Sequence, residues 1–146
     1  MRVSDVISSK GNDAIFTVRP DAPISELLDT LAEHNVGALV VSEDGETLSG
    51  IVSERDVVRK LRGIDKPNEQ PVSSIMTAAV DLRTCSPTDS FGQLMSLMTE
   101  HRVRHVPVLD ENRLIAVVSI GDAVKYRMDK LEFERDQLNE YVASAQ

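Results

Sequence analysis

The chain has 146 residues, of which 41% are hydrophobic and 27% charged, a balance typical of a globular protein with one or two small cores. Its formal net charge of −8 and its aromatic content of 3% disfavour a general nucleic-acid binder, since such proteins need excess Lys and Arg and rings for stacking. No apolar run is long enough to span a membrane or to form the core of a signal peptide. We therefore predict a soluble, cytoplasmic protein.

The single cysteine, Cys85, cannot form a disulfide within the chain, which fits a reducing compartment. We predict a buried strand or turn residue rather than a nucleophile, because free cysteines are among the most buried residue types. No HExxH or CxxC spacing accompanies the three histidines, and we predict no metal site. His34 and His101 end equivalent predicted helices, whereas His105 stays open between a structural role and a place in a binding cleft.

Taken in order, the chain repeats itself with a period of about 67 residues, which indicates an internal domain duplication. The stretch from Val3 to Ser8 is echoed by the stretch from Val72 to Thr77. An amphipathic helix follows in each copy. Its apolar face consists of Ile24, Leu27, Leu28 and Leu31 in the first copy and of Phe91, Leu94, Met95 and Met98 in the second.

Two predicted strands and a second helix complete each copy. The strands are residues 38–41 and 48–52 in the first copy and residues 106–109 and 114–118 in the second, with acidic turns between them. The fold class that follows is α/β (α+β), with tandem β-α-β-β-α repeats and a C-terminal helical extension.

The predicted domain boundaries follow from this repeat. The first repeat with its lead-in covers residues 1–62, a connector rich in Gly, Pro and polar residues covers 63–71, the second repeat covers 72–128 and the helical extension covers 129–146. The extension has a partial apolar face, and two interpretations stay open: a solvated helix, or a helix that packs on a partner subunit.

A Ser-x-x-Asp element opens the second helix of each copy, at Ser53–Asp56 and Ser119–Asp122. Each element by itself predicts a helix-capping box. Two copies in matching surroundings suggest a second role, because a carboxylate accepts hydrogen bonds from a ribose diol and a helix N-terminus favours phosphate.

Together these residues resemble a pair of CBS (cystathionine-beta-synthase) domains, called a Bateman module, over about residues 1–128. The resemblance is closest to small bacterial proteins made of little else, and it rests on residues 50–56, 116–122, 104–108 and 75–77. It implies pseudo-two-fold packing of the repeats and clefts that bind AMP, ADP, ATP, NAD or S-adenosylmethionine derivatives. It also implies that Ser119 and Asp122 meet residues 12–17, and that Ser53 and Asp56 meet residues 77–80.

Individual side chains are assigned to these clefts by their chemistry. Arg104 and Arg55 stand in different elements of the two copies and would each give one cleft a cation for phosphate. The apolar residues Val36, Leu39, Val106 and Val80 are candidates to enclose an adenine. The complete predicted set of ligand-binding residues is Ser119, Asp122, Arg104, His105, Val106, Pro107, Ile120, Gly121, Ile15, Phe16, Thr17, Ser53, Arg55, Asp56, Gly37, Ala38, Leu39, Thr77, Ala78, Ala79 and Val80.

The predicted function is a non-enzymatic sensor that binds an adenine nucleotide (AMP, ADP, ATP or NAD) as a regulatory ligand and requires no cofactor. The sequence contains no phosphate loop and no GxGxxG after a strand, so it offers no reaction centre. The predicted partners are a second copy of the chain, bound through helix faces, and an unidentified regulated protein, but neither nucleic acid nor membrane. The alternative is a constitutive dimeric interaction protein with vestigial clefts, and a small enzyme that uses Asp and His is a third hypothesis.

Overall fold

The computed structural model describes residues 1–11 and 14–145. In chain order its elements are α1 (Val3–Ser9), β1 (Thr17–Val18), α2 (Ile24–His34), β2 (Ala38–Val41), β3 (Gly50–Ser53), α3 (Glu54–Lys60), short 3-10 turns at Pro67–Glu69 and Val72–Ser74, β4 (Thr77–Ala78), a 3-10 turn at Ala79–Asp81, α4 (Phe91–Glu100), β5 (His105–Asp110), β6 (Arg113–Ser119) and α5 (Ile120–Ser144). None of the helices in this part of the chain combines the length and hydropathy that a membrane span requires.

The amphipathic helices bury the faces that their sequence pattern predicts. In α2 the buried residues are Ile24, Leu27 and Leu31, and in α4 they are Phe91, Leu94 and Met98. This spacing of three and four residues places the side chains on one stripe, which packs on the strands of the same copy. Helix α2 ends at Asn35, whose left-handed backbone (φ 51°) turns the chain toward β2.

Two sheets carry the two copies. The first has the strand order β1-β2-β3-β4, in which β1 and β2 are parallel and the other neighbours antiparallel. The second is the antiparallel pair β5-β6. Beside it, Cys85 forms a single parallel bridge to Val108, and the Cys85 amide donates to the carbonyl of Pro107 at 3.0 Å.

The segments that lead into each copy pack on the other copy. Val3 and Val6 of α1 are fully buried in the core of the second copy, next to Leu94 and Val106. Val72 is likewise buried in the core of the first copy, and β4 pairs with β3, with Ile51 opposite Thr77. The two lead-in segments are therefore exchanged between the copies.

The fold class predicted from the repeat is confirmed: each copy has the β-α-β-β-α order, and α5 continues past the second core as a helical extension. The predicted capping boxes are confirmed as well, because the Ser53 and Ser119 side chains accept from the amides of Asp56 and Asp122. Cys85 is buried, as predicted. The exchange of lead-ins puts the ends of α1, β2 and β6 at one junction, where a partly enclosed cavity lies.

Candidate functional site

A cavity of about 360 Å³ lies between the two copies. That volume falls within the range of small-molecule pockets. The walls come from the end of α1 and the segment before β1, from β2, and from the β6–α5 junction. The lining residues are Ile7, Lys10, Ala14, Ile15, Phe16, Val36, Gly37, Ala38, Leu39, Val40, Ile51, His105, Ala116, Val117, Ser119 and Asp122.

The Ser119–Asp122 element places a carboxylate and a helix start at this cavity. Strand β6 ends at Ser119 with extended backbone, and the Ser119 hydroxyl accepts from the Asp122 amide at 3.0 Å. In return, the Ser119 amide donates to Asp122 Oδ2 at 2.9 Å. The capping box therefore fixes the orientation of the Asp122 carboxylate and leaves it in the cavity wall.

Lys10, at the end of α1, supplies the positive charge of the cavity. Its Nζ lies 2.9 Å from Asp122 Oδ2 and donates to the carbonyl of Val117 at 2.9 Å. Sequence reasoning missed this residue, because pattern alone does not reveal that α1 packs on the second copy. The available signal was its place just before the segment that the resemblance pairs with Ser119 and Asp122.

The polar groups of the cavity influence each other's protonation. Burial raises the pKa of Asp122, but hydrogen bonds from the Ser119 amide and from Lys10, together with the charge of Lys10, outweigh it and hold that pKa below its ordinary value. Burial lowers the pKa of His105, Asp122 opposes this effect, and the charges of Lys10 and Arg104 add to it. Near neutral pH the cavity therefore presents an ionised carboxylate, an ammonium group and an uncharged imidazole.

The rest of the cavity wall is largely apolar. Ile15 and Phe16 face it from the segment before β1, and Val36 and Leu39 face it from the region of β2. The Phe16 ring stacks on the His34 ring, with centroids 3.8 Å apart and an interplanar angle of 12°. An apolar enclosure with a few convergent polar groups suits a flat heterocycle that carries a polar substituent.

The Ser53–Asp56 element has the same local geometry in different surroundings. The Ser53 amide donates to Asp56 Oδ2 at 2.9 Å, and Lys60 Nζ lies 3.1 Å from Asp56 Oδ1. Lys60 also donates to the carbonyl of Ile75 at 2.9 Å. Here the cation is supplied by the same helix, one turn further on.

The structure brings eight of the predicted ligand-binding residues to the cavity. They are Ile15, Phe16, Gly37, Ala38, Leu39, His105, Ser119 and Asp122. Two residues of the implied 12–17 segment, Asn12 and Asp13, lie outside the described residues.

The other predicted residues are not among those that line it. Val106 and Pro107 are fully buried within the second copy, and the exposed fraction of Val80 is 88%. Arg104 and Arg55 are exposed. The remaining predicted residues outside the cavity are Thr17, Ile120, Gly121, Ser53, Asp56, Thr77, Ala78 and Ala79.

Two further groups bear on the chemistry. Burial, reinforced by the charge of Asp89, raises the pKa of the Cys85 thiol to about 11, which keeps it protonated and a poor nucleophile. Among the described residues there is no group of three or more His, Cys, Asp and Glu side chains that could hold a metal ion.

Comparison with known proteins places these features in a family. The chain matches the CBS domain family twice, over residues 3–63 and 72–129. It is similar to the mitochondrial CBS domain-containing protein CBSX3 of Arabidopsis thaliana, with 36% identity over 146 residues, which cover 96% of this chain and 71% of the relative.

Solved structures show the same fold. A CBS-domain containing protein from Agrobacterium tumefaciens is 39% identical, with a TM-score of 0.79, over 87% of this chain and 99% of the other. A CBS domain protein from Pyrobaculum aerophilum, solved in complex with AMP, is 26% identical, with a TM-score of 0.72, over 84% of this chain and 89% of the other.

Proposed function

The chain belongs to the CBS-domain family and carries two copies of the domain, and from this premise we propose that it is a non-enzymatic regulatory module that binds an adenine nucleotide in the cavity at Ser119 and Asp122. The observation that carries the proposal is the convergence, in one cavity, of an ionised carboxylate, a cation and an apolar wall. Each of these features matches one part of a nucleotide.

The proposed binding mode assigns the ribose to Asp122. A carboxylate only accepts hydrogen bonds, and the two hydroxyls of a ribose diol are both donors. The start of α5 and the Lys10 ammonium lie beside it and favour a phosphate, because both carry positive charge. The apolar residues Ile15, Val36 and Leu39 are then in position to enclose the adenine.

AMP is the nucleotide that we propose first. The Pyrobaculum relative was solved with AMP bound. Lys10 is the one Lys or Arg side chain that lines the cavity within the described chain, and a single cation balances a monophosphate better than a triphosphate. ADP, ATP and NAD remain candidates that the same experiment compares.

The proposal includes a homodimer and a partner protein that the module regulates. A ligand-dependent change in the module would alter how it acts on that partner. Val58 in α3 and Val124 in α5 occupy equivalent places in the two copies, and their exposed fractions are 76% and 46%. Exposed valines at matching positions favour a symmetric helix-to-helix contact between two chains. The cytoplasmic location stays a prediction; the Arabidopsis relative is named as mitochondrial.

Isothermal calorimetry with AMP, ADP, ATP and NAD tests the proposal. For the wild type we expect one nucleotide bound per chain, with AMP bound most tightly. Asp122→Asn keeps an oxygen that can cap α5 but removes the charge, and we expect it to weaken AMP binding about tenfold or more. Lys10→Met should weaken AMP more than adenosine, because it removes the cation opposite the phosphate.

Asp56→Asn is the matched control, since Asp56 occupies the equivalent capping box but does not line the cavity. It should leave AMP affinity within about twofold of the wild type. Absence of any nucleotide binding below millimolar concentration would refute the proposal and favour a constitutive interaction protein. Equal losses in both Asp variants would instead show that the Ser53–Asp56 element also binds nucleotide.

A further inference from the structure

The second half of α5 has no packing partner within the described chain. Ala123 is its buried residue, in the core of the second copy, whereas every described residue from Leu131 to Ala145 is exposed. Helices without tertiary contacts are marginal in water, because most helix stability in proteins comes from the packing of an apolar face. A contact that the described chain does not supply would therefore stabilise this segment.

The exposed apolar residues of α5 form a seam with alternating spacings of four and three residues. The seam consists of Val124, Met128, Leu131, Arg135, Leu138 and Val142. Apart from Arg135, these are large hydrophobic residues with exposed fractions between 46% and 62%. Alternation of four and three residues is the heptad repeat of a coiled coil, and its average of about 3.5 residues per step favours a left-handed supercoil.

We propose that residues 124–142 of two copies of this chain form a parallel two-stranded coiled coil. The paired segment is about 28 Å long at the rise of an α-helix. It extends the proposed homodimer beyond the domain surface and does not depend on nucleotide binding.

Charges beside the seam favour a second copy in parallel orientation. The heptad places Arg127 at a g position and Glu132 at the following e position. In a parallel coiled coil these two positions face each other across the interface, so Arg127 of each chain meets Glu132 of the other. Neither side chain forms an ion pair within the described chain. The interface is thus self-complementary, as a two-fold dimer requires.

The polar position of the seam is Arg135, at an a position, where it faces Arg135 of the second copy in the parallel arrangement. Glu134 of the second copy lies next to it at the neighbouring g position and offsets the repulsion between the two guanidinium groups. The antiparallel alignment that joins the same apolar residues would instead place Glu132 opposite Glu132 and Glu134 opposite Glu134. Like charges in matching positions repel each other and destabilise that alternative.

Disulfide trapping tests the proposal on the full-length chain. Leu138 is at a d position, which faces its own copy in a parallel coiled coil, so we expect Leu138→Cys to form a covalent dimer rapidly under mild oxidation. Phe133→Cys is the matched control, because Phe133 is equally exposed (57%, against 62% for Leu138) but lies on the outer face of the same helix. The wild type controls for Cys85, which is buried.

Charge reversal gives a second measurement on the Leu138→Cys background. Arg127→Glu should slow disulfide formation about threefold or more, since it places two acids opposite each other. Adding Glu132→Arg to that variant should restore the rate. A merely exposed helix would show neither effect.

Three results would overturn the proposal. If Phe133→Cys forms the covalent dimer as readily as Leu138→Cys, the disulfides arise from random collisions between chains and not from a specific interface. No trapping of Leu138→Cys, with trapping of the Met128→Cys/Leu138→Cys double variant, would show an antiparallel pair. A monomer by light scattering would exclude any dimer. Calorimetry with AMP on the same variants separates this proposal from the proposed function. We expect the variants to bind AMP with the affinity of the wild type, whether or not they form the coiled coil.

Discussion

His105 shows how one residue in the cavity makes stability depend on pH. Burial lowers the pKa of its imidazole in the folded protein below the value of about 6.5 in the unfolded chain. As the pH falls below that value, the unfolded state binds a proton that the folded state does not, so the free energy of unfolding decreases. We expect the melting temperature to fall between pH 7.5 and 5.5, and to fall less in His105→Gln.

Asp122 does not obscure this measurement. The pKa of Asp122 is lowered in the folded state. Its contribution to the free energy of unfolding is therefore complete above about pH 4 and is lost only below that pH. The exposed His101→Gln is the control and should keep the pH dependence of the wild type. If His105→Gln retains the full decrease, the imidazole is not the responsible group.

At the scale of the element, the pairing of β3 with β4 depends on a glycine. Gly50 is buried opposite Ala78, and a Cβ added to it would overlap the carbonyl oxygen of Thr77 and come within 3.0 Å of the Met76 sulfur. The equivalent residue of the second copy is Ala116, which lines the cavity. We expect Gly50→Ala to lower the free energy of unfolding in urea by about 1–3 kcal/mol, because β4 must shift.

Gly92→Ala in α4 is the matched control for this substitution. Its Cβ would have the Ser90 hydroxyl as its nearest neighbour, at 3.8 Å, which is an ordinary contact. Alanine also has the higher helix propensity, so the change should be neutral or stabilising by up to about 1 kcal/mol. Equal destabilisation by the two substitutions would show that the β3–β4 approach is not the cause.

At the scale of the whole molecule, the exchanged lead-ins join the two copies into one cooperative unit. Val6 precedes the first copy in sequence but is fully buried in the core of the second. We expect Val6→Ala to lower the free energy of unfolding by about 1–3 kcal/mol in a single transition. It should also speed alkylation of the Cys85 thiol, which is buried in the same core.

Ser8→Ala, on the exposed face of the same helix, is the control and should change neither quantity appreciably. Two separate unfolding transitions, or an unchanged rate of Cys85 alkylation in Val6→Ala, would show that α1 is not an integral part of the second core.

The sequence by itself determined the repeat, the amphipathic faces of α2 and α4, and both capping boxes, because these depend on residues within a few positions of each other. It also identified Ser119 and Asp122 as candidates for binding, and the resemblance assigned the family. Only the tertiary structure showed that Lys10 pairs with Asp122 in the cavity and that Arg104 is exposed outside it. Lys10 and Asp122 are about 110 residues apart along the chain, so their ion pair depends on how α1 packs on the second copy. No local sequence pattern predicts a contact over that separation.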